Sequence, residues 1–590
     1  MNRFVLLSAL TLVLVSGFPA VAQQHADLFL DTVDVRVINL EVMVTDRQGE
    51  TVTGLEREDF EVLEDGEPVA LTNFLAVEQR QVRQSETGPE GYEEGGYARE
   101  PDTRQLQLVI FVDENNIDPR NRNQLFGRLR TTLDEQWRPE DRAMMVSLGS
   151  ELNTLAPFTS DVADLHGAID ALDGRVGGYS RVMNDYHLLQ REIQRAALET
   201  PVANGLANPF FDSAVRNAEQ LARRIRLVAE QRNAQTRRTI EHLGSFVRTL
   251  ASLPGRKALL FLSDGLPTQP ADPLVEAWRG KFESWAVQYD QNSMLSELTS
   301  LGSLDFDATS HIDDLVEEAA AHRVAFYPIT PGARSAASGL SAEFQGSGTT
   351  DGSGAYSRTV QALEQMSLES SLMRLADETG GLAFTRTLNL DALMERIRED
   401  VTTFYSLGYS PTREEDQAYH EVEVRIKGRR DLNVRHLQGF REKGAMEKLQ
   451  DRTLSALHHG ITDNILGVRL EPGEAEATGK DRYEVAVMVK IPFEKVLLLP
   501  QGENHQGRLS LLVAVRDDQG RVSPFQEIEL PIQIPNEQVL SALSGAAAYP
   551  MRLEMRGGPH RISLGVRDRI AQTDSTVNLE MTVGAKEPSR

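Results

Sequence analysis

The stretch Leu106-Gln-Leu-Val-Ile-Phe-Val-Asp-Glu-Asn-Asn-Ile-Asp118 joins a continuous apolar run to a cluster of oxygen-bearing side chains. The apolar run from Leu108 to Val112 is typical of a parallel β-strand that helices cover on both faces. The polar cluster follows at the carboxyl end of this strand, where open α/β sheets bind their ligands. We therefore predict that this strand is the first of a central sheet and that Asp113 lies at its functional edge.

A second apolar stretch, Ala258-Leu-Leu-Phe-Leu262, also runs into polar residues, Ser263-Asp264-Gly265. The carboxyl ends of parallel strands meet at one edge of a sheet. We therefore expect Asp113 and Asp264 to converge at a common rim.

Strand and helix patterns alternate between residues 105 and 411, which predicts a doubly wound α/β sheet. The tract from Gly177 to Leu253 is longer than a crossover needs, so it contains an insertion, which we place near residues 181–232. An apolar seam at helical spacing runs through Ala214, Ala218, Leu221, Ile225 and Val228. Two alternatives remain open for this seam: pairing with a helix at residues 186–198, or packing on the domain's own core.

All-β sandwich-like modules flank the α/β domain in this prediction, because period-two alternation and turn signals recur on both sides of it. The predicted units are an amino-terminal β module at 28–78, a linker at 79–104, the α/β domain at 105–411, a β extension at 412–441, a helical connector at 442–470 and a carboxyl-terminal sandwich-like domain at 471–584. The glycine- and serine-rich tract Gly346-Ser-Gly-Thr-Thr-Asp-Gly-Ser-Gly354 is predicted to be a flexible loop. It lacks the Gly-Lys-Ser/Thr ending of a phosphate-binding loop, which argues against nucleotide binding.

The first 22 residues have the pattern of a secretory signal peptide, with a basic start, a short apolar core and Ala20-Val21-Ala22 before the cut. We therefore expect export to the periplasm or the medium, a mature chain that begins at Gln23, and no membrane span in it. The chain has no cysteine, which excludes disulfides and thiolate chemistry, and its net charge of -26 argues against nucleic-acid binding.

The sequence lacks the local motifs of common hydrolases, such as a Gly-x-Ser-x-Gly elbow or a His-Glu-x-x-His helix. The His458-His459 pair stands alone, which favours a packing role over a metal site. Asp113 and Asp264 could serve as paired carboxylates in a metal-dependent hydrolase, but such pairs at a sheet rim are not diagnostic. We therefore predict that the protein is not an enzyme.

Several of these segments resemble the bacterial secreted proteins known as VWFA-related, which contain an acidobacterial type of von Willebrand factor A domain. The resemblance spans about residues 33–441 and excludes the carboxyl-terminal β region. The stretches that carry it are Val42-Met-Val-Thr-Asp-Arg-Gln-Gly49, Leu55-Glu-Arg-Glu-Asp-Phe60, Glu64-Asp-Gly66, Leu253-Pro-Gly-Arg-Lys257, Phe261-Leu-Ser-Asp-Gly265, Leu375-Ala-Asp-Glu-Thr-Gly-Gly381 and Phe404-Tyr-Ser-Leu-Gly-Tyr-Ser-Pro411.

The resemblance implies a Rossmann-like A domain, which in better-known relatives binds proteins through a divalent metal at the sheet rim. Those relatives carry Asp-x-Ser-x-Ser on the first strand, where this chain has Asp113, Asn115 and Ile117. Asp264 matches the later acidic position. Thr236 and Thr239 are weak matches for the threonine that lies between them. The implied metal-ion-dependent adhesion site is therefore degenerate.

The oxygen ligands that remain, Asp113, Asn115 and Asp264, suit a weakly held Mg²⁺, and a Ca²⁺ variant would add Glu114, Asn116 or Asp118. The alternative is that the carboxylates cap turns and helix N-termini. We expect an exported, non-enzymatic, adhesion-like module that binds a protein partner. The other reading is a structural or envelope-assembly scaffold whose β domains make the contacts.

Overall fold

The computed structural model describes most of the chain beyond residue 36, namely residues 37–78, 81–84, 106–175, 178–203, 206–253, 255–302, 307–331, 353–411, 413 and 417–584. The predicted signal peptide lies outside the described residues, as do most of the predicted linker and of the glycine-rich tract.

We number the elements of the described residues along the chain. The first strands are β1 Ile38–Thr45, β2 Phe60–Glu64, β3 Glu67–Val69, β4 Leu71–Glu78, β5 Gln81–Gln84, β6 Gln107–Asp113, β7 Arg142–Leu148, β8 Leu152–Thr159, β9 Val202–Ala203, β10 Leu206–Ala207, β11 Lys257–Leu262, β12 Val324–Thr330 and β13 Phe384–Thr385. The later strands are β14 Phe404–Tyr409, β15 Tyr419–Ile426, β16 Asn433–Arg435, β17 Gly439–Arg441, β18 Arg469–Gly479, β19 Arg482–Pro492, β20 Leu499–Gln501, β21 Asn504–Asp517, β22 Gln526–Pro535, β23 Ala546–Met555, β24 Gly558–Asp568 and β25 Thr573–Val583. The helices are α1 Pro119–Gln136, α2 Val162–Leu172, α3 Tyr179–Arg195, α4 Phe211–Thr249, α5 Asp272–Gln288, α6 Asn292–Gly302, α7 Thr309–Ala321, α8 Ser353–Glu378, α9 Leu390–Thr402, α10 Ala445–His459 and α11 Val539–Ala542.

The protein is a mixed α/β structure with a central six-stranded sheet in the order β13-β12-β11-β6-β7-β8. All neighbouring strands in it are parallel except β8, which runs antiparallel to β7. Strands β6 and β11 are neighbours, and the chain order reverses between them. Their carboxyl ends therefore meet at the topological switch point, where sheets of this class form their crevice.

Apolar cores on both faces explain why β6 is a continuous apolar run. Leu108, Ile110 and Val112 pack under helices α1, α2 and α9. Val109 and Phe111 face the opposite way and pack under α4, α7 and α8. Because successive side chains of a strand point to opposite faces, each face needs its own apolar set.

The first β module and the β extension form one two-sheet sandwich. One sheet has the order β16-β1-β14-β4-β5 and the other has β17-β15-β2-β3. Two corrections follow: β14 belongs to this sandwich and not to the α/β domain at 105–411, and Gln81–Gln84, placed in the linker, is a strand. Strand β14 fills the space between β1 and β4, and β5 pairs with β4 as a hairpin, so both satisfy backbone groups that a loop would leave open.

The insertion is larger than the sequence predicted, because four helices share its core. The seam of α4 packs against α3, so the first of the two alternatives, pairing with that helix, is the one that the structure has. Helices α5 and α6, from the next crossover, complete the cluster. Trp278 of α5 donates its indole N–H to the carbonyl of Ala218 at 2.9 Å. Helix α4 is continuous over 39 residues, and its second half packs on the central sheet.

The carboxyl-terminal strands form a second sandwich, with sheets β18-β19-β23 and β20-β21-β24-β25 and with β22 paired to β21. Helix α10, the predicted connector, packs against this sandwich and against α4. Gly565 of β24 allows the close approach, because a Cβ there would lie 2.2 Å from the Thr453 hydroxyl oxygen. Within the described part of the chain, no helix is both long enough and apolar enough to cross a membrane.

A buried lysine begins β11 at the amino-terminal end of the central sheet. Lys257 is 3% exposed, and its ammonium donates to the carbonyl of His322 at 2.7 Å. Burial, and then the nearby Arg323, lower the pKa of Lys257 from 10.5 to about 7. Between those values the unfolded chain binds more protons than the folded one, so this group makes stability rise with pH through that window.

We expect Lys257→Met to raise the free energy of unfolding at pH 7 by roughly 2 kcal/mol, because each pKa unit represents about 1.4 kcal/mol and the lost hydrogen bond offsets part of the gain. Denaturant unfolding at pH 7 and at about pH 10 measures the gain in the free energy of unfolding. It also shows whether the variant has lost the pH dependence of the parent chain. A variant as pH-dependent as the parent chain, or less stable than it at pH 7, would contradict the expectation.

Candidate functional site

Asp113 ends β6 at the switch point and is fully buried. Its Oδ1 accepts the backbone N–H groups of Asn115 and Asn116, both at 3.2 Å. Its Oδ2 accepts the amide of Asn116 at 2.9 Å and the hydroxyl of Ser263 at 3.1 Å. Burial raises the pKa of Asp113 to about 6, although these hydrogen bonds favour the ionised form.

Asp264 follows β11 and lies at the same rim. Its Oδ2 accepts the backbone N–H of Asp118 at 2.8 Å. Its Oδ1 accepts the amide of Asn121 at 2.9 Å and the hydroxyl of Thr330 at 2.8 Å. Burial raises the pKa of this carboxyl as well. The structure thus brings the two predicted acidic residues to one edge, but separate hydrogen-bond networks hold them.

The third predicted ligand, Asn115, donates its amide to the carbonyl of Gly149 at 2.8 Å. Ile117, at the position that lacks a hydroxyl, is 1% exposed and packs in the core beneath the rim. Of the further oxygen-bearing residues, Asp118 caps the first turn of α1 by accepting the N–H of Arg120 at 2.8 Å. Glu114 is buried and lies 4.0 Å from the guanidinium of Arg122.

Helix α4 crosses the rim, which the sequence did not predict. Gln235 donates its amide to the carbonyl of Asn115 at 2.8 Å. The hydroxyl of Thr239 lies 3.4 Å from the amide of Asn116, and Thr236 is buried one turn earlier. Sequence reasoning also missed Thr330, although its place at the carboxyl end of β12 follows the rule that pointed to Asp113 and Asp264.

A cleft lies between the rim and the helices that cover it, with about 430 Å³ of empty space that is partly open to solvent. Its lining residues are Asn115, Asn116, Tyr179, Met183, Arg232, Gln235, Asp264, Gly265, Pro267 and Leu368. Arg232 of α4 is 5% exposed, and both of its terminal nitrogens donate to Glu364 of α8 at 3.2 Å. Its guanidinium also stacks over Tyr186, 4.3 Å from the ring centroid.

Asp113 and Asp264 both accept backbone N–H groups, which is the capping role predicted as the alternative to metal binding. Their oxygens accept N–H and O–H donors from the chain, so a divalent ion has to displace some of these bonds to gain a ligand. The residues offer hard oxygen ligands of the kind that Mg²⁺ and Ca²⁺ prefer. Loss of the existing bonds makes tight binding unfavourable.

We therefore expect calorimetry with Mg²⁺, Ca²⁺ and Mn²⁺ to give dissociation constants no tighter than about 0.1 mM. Asp113→Asn and Asp264→Asn should each remove the heat. Micromolar binding of a divalent cation that survives both substitutions would show that the metal site does not lie at the rim.

A second acidic group, Glu64, Asp65 and His420, lies in the first sandwich with its ligand atoms within 4.8 Å of one another. His420 Nδ1 is 2.7 Å from Asp65, and Glu64 accepts the guanidinium of Arg413 at 2.6 Å. A cation already neutralises Glu64, so Asp65→Asn serves as a control variant for the metal titrations.

The side chains of His458 and His459 are mostly buried and pack against neighbouring residues. His459 lies 3.1 Å from the hydroxyl of Thr249, and its ring packs against that of Phe158. Burial and then the nearby Arg516 lower the pKa of His458 to about 3 and that of His459 to about 4. Both rings are therefore neutral at neutral pH, as buried imidazoles usually are.

No model of a known protein family matches this chain, and no curated protein matches it. Among solved structures, it is similar in part to two β-glucuronidases of Bacteroides uniformis. One, β-glucuronidase 2 covalently bound to cyclophellitol-6-carboxylate aziridine, is 11% identical with a TM-score of 0.13, over 20% of this chain and 13% of the enzyme. The other is 9% identical with a TM-score of 0.14, over 33% of this chain and 20% of the enzyme. At such TM-scores the similarity supports no conclusion about fold or function.

Proposed function

We propose that the chain is an exported protein-interaction module, without catalytic activity, in which a von Willebrand factor A-like domain binds a protein partner at its rim. The order of the central sheet supports this domain type, because it is a doubly wound sheet with its acidic residues at the switch point. The helices over the rim supply the rest of the binding face.

Exposed apolar side chains on α8, one of the helices that line the cleft, are the observation that carries the proposal. Leu363, Met366 and Met373 of α8 are 46%, 63% and 44% exposed. Their spacing of three and seven residues places them on one face of the helix. Leu368, on the opposite face of the same helix, lines the cleft. Exposed apolar side chains gathered on one face of a helix are typical of protein interfaces, and methionine adapts well to a partner's surface.

Helix α3 also carries an exposed apolar side chain. Tyr179 and Met183 line the cleft, and Leu188, further along the helix, is 43% exposed. A partner that spans α3, α8 and the rim would thus meet both apolar side chains and polar amides, a composition that suits a protein ligand.

A structural scaffold is the second candidate, and one observation favours it. Leu540 of α11, in the carboxyl-terminal sandwich, is 86% exposed. Such a side chain could anchor contacts made by the β domain instead of the rim.

Paired variants separate the two candidates. The tagged parent chain is recovered from the cell envelope together with its bound proteins. The double variant Leu363→Glu with Met366→Glu and the single variant Leu540→Glu are recovered in the same way. We expect the first variant to lose the partner and the second to keep it, because a charge placed in an apolar contact carries a desolvation cost. Loss only in Leu540→Glu would favour the scaffold. N-terminal sequencing of the recovered chain tests export, with Gln23 as the expected first residue.

A further inference from the structure

The short hairpin of β9 and β10, which joins α3 to α4 in the insertion, exposes large apolar side chains. Val202, Leu206 and Phe210 are 58%, 74% and 65% exposed. A single exposed apolar side chain is common on a protein surface, but several gathered on one short segment mark a place of interaction. We call these three side chains the apolar tip.

The segment that carries the apolar tip has no charged residue. Its sequence from Thr200 to Phe211 is Thr-Pro-Val-Ala-Asn-Gly-Leu-Ala-Asn-Pro-Phe-Phe, and the charged residues Glu199 and Asp212 stand directly on either side of it. A quarter of the residues of the whole chain are charged. Because a charge is costly to remove from water, an exposed segment without one is suited to an apolar environment.

Hydrogen bonds within the hairpin satisfy backbone groups that a loop usually leaves to water. The backbone N–H of Asn208 donates to the carbonyl of Pro201 at 2.9 Å, and the side-chain oxygen of Asn208 accepts the N–H of Phe210 at 3.0 Å. The hydroxyl of Thr200 donates to the carbonyl of Val202 at 2.8 Å. Such pairing matters most in a medium without water, where an unpaired backbone group has no other partner.

The base of the hairpin is fixed to the core of the insertion. Trp285 of α5 donates its indole N–H to the carbonyl of Glu199 at 2.8 Å. The ring of Phe211 packs against that of Trp285, with their centroids 5.6 Å apart. The carboxylate of Glu199 also accepts the amide of Asn208 at 3.0 Å. The apolar tip is therefore held in position before any partner binds, which lowers the entropy cost of binding.

The apolar side chains lie on both faces of the hairpin. Val202 pairs with Ala207, and Leu206 pairs with Ala203 in the adjacent position of the ladder. Paired residues share a face and adjacent pairs point to opposite faces, so Val202 and Leu206 point in opposite directions. A flat protein surface would cover only one of these faces, whereas a lipid bilayer surrounds a hairpin that enters it.

We propose that the apolar tip inserts into the interface of a lipid bilayer and holds the protein reversibly on a membrane surface. Apolar side chains that enter the boundary between head groups and acyl chains bind a membrane without spanning it. The chain has a net charge of -26, which opposes binding to anionic lipids, so the surface it suits is a zwitterionic one.

This inference is independent of the partner proposed for the rim. The hairpin leads into the first residue of α4, Phe211, whereas Gln235 of the same helix contacts the rim. At about 1.5 Å per residue, the two residues are about 36 Å apart along the helix axis. Lipid alone therefore tests the apolar tip, with no protein partner present.

The test is sedimentation of the full chain with vesicles of phosphatidylcholine. We expect half-maximal binding at about 1 mM lipid, about tenfold weaker than a single myristoyl chain gives. Leu206→Thr combined with Phe210→Ser should weaken binding about tenfold or more, because less apolar surface enters the bilayer. The double variant should fold, since threonine suits a strand and Phe210 is the N-cap residue of α4, where serine is preferred.

Leu227→Gln is the matched control, because Leu227 of α4 is 59% exposed but lies outside the hairpin. It should bind vesicles like the parent chain. The proposal is overturned if the parent chain does not bind at about 10 mM lipid, or if the double variant binds as well as the parent. Equal weakening by Leu227→Gln also overturns it.

Two further measurements separate insertion from other causes. Binding should persist when NaCl is raised to about 0.5 M, because salt screens charges but leaves apolar burial intact. Binding that requires anionic lipid and disappears in salt overturns the proposal. Sedimentation equilibrium without lipid covers a second copy as the occupant. A chain that ignores vesicles, and whose dimer is lost in the double variant, would show that the apolar tip is a self-contact.

Discussion

Asp400→Ala is expected to lower the free energy of unfolding by about 3–5 kcal/mol, since it leaves a buried cation without its partner. Asp400 of α9 is 2% exposed, and its carboxylate accepts hydrogen bonds from both terminal nitrogens of Arg435, at 2.8 and 2.6 Å. It also accepts the hydroxyl of Tyr327 at 2.8 Å. The pair joins a strand of the first sandwich to a helix of the central domain, so its loss weakens their contact. Denaturant unfolding at neutral pH measures the change.

Two further variants show whether the unpaired charge is the cause. Asp400→Ala combined with Arg435→Met should lose less stability than Asp400→Ala alone, because no buried charge remains. Glu423→Ala is the exposed counterpart, since Glu423 and Arg425 pair at 2.6 Å with about half of each side chain exposed. It should change stability by roughly 0.5 kcal/mol or less. Equal losses in Asp400→Ala and Glu423→Ala would contradict the role of burial.

Gly381→Ala is expected to lower the free energy of unfolding by about 3 kcal/mol, because the site has no room for a side chain. A Cβ at Gly381 would lie 1.9 Å from the carbonyl oxygen of Phe326 and 2.8 Å from its carbonyl carbon. Those atoms belong to the backbone of β12, which pairs with strands on both sides and cannot shift freely. Thermal or denaturant unfolding measures the loss.

Gly127→Ala is the matched control for this clash. Gly127 lies within α1, and no atom lies within 4 Å of a Cβ built there. Alanine should therefore stabilise the helix by about 0.5–1 kcal/mol through lower backbone entropy of the unfolded chain. If both variants lost stability to the same extent, the close approach to Phe326 would not be the reason.

The sequence by itself determined the central sheet and its polar edge. The apolar run of β6 predicted a strand covered on both faces, and the two cores confirm it. The same local pattern placed Asp113 and Asp264 at one rim, where the structure has them. The alternation of β15, buried on every second residue, was equally readable. Each of these features depends on periodicity along a short segment, which a single sequence contains.

Only the tertiary structure decided which distant segments meet. Strand β1 pairs with β14 across the whole central domain, α5 and α6 complete the core of the insertion, and α4 crosses the rim above Asn115. Backbone hydrogen bonds and apolar contacts form between any compatible partners, so periodicity cannot choose among them. For the same reason the sequence suggested that the carboxylates of Asp113 and Asp264 are metal ligands. In the folded chain their oxygens accept hydrogen bonds from N–H and O–H groups, some of which belong to other elements.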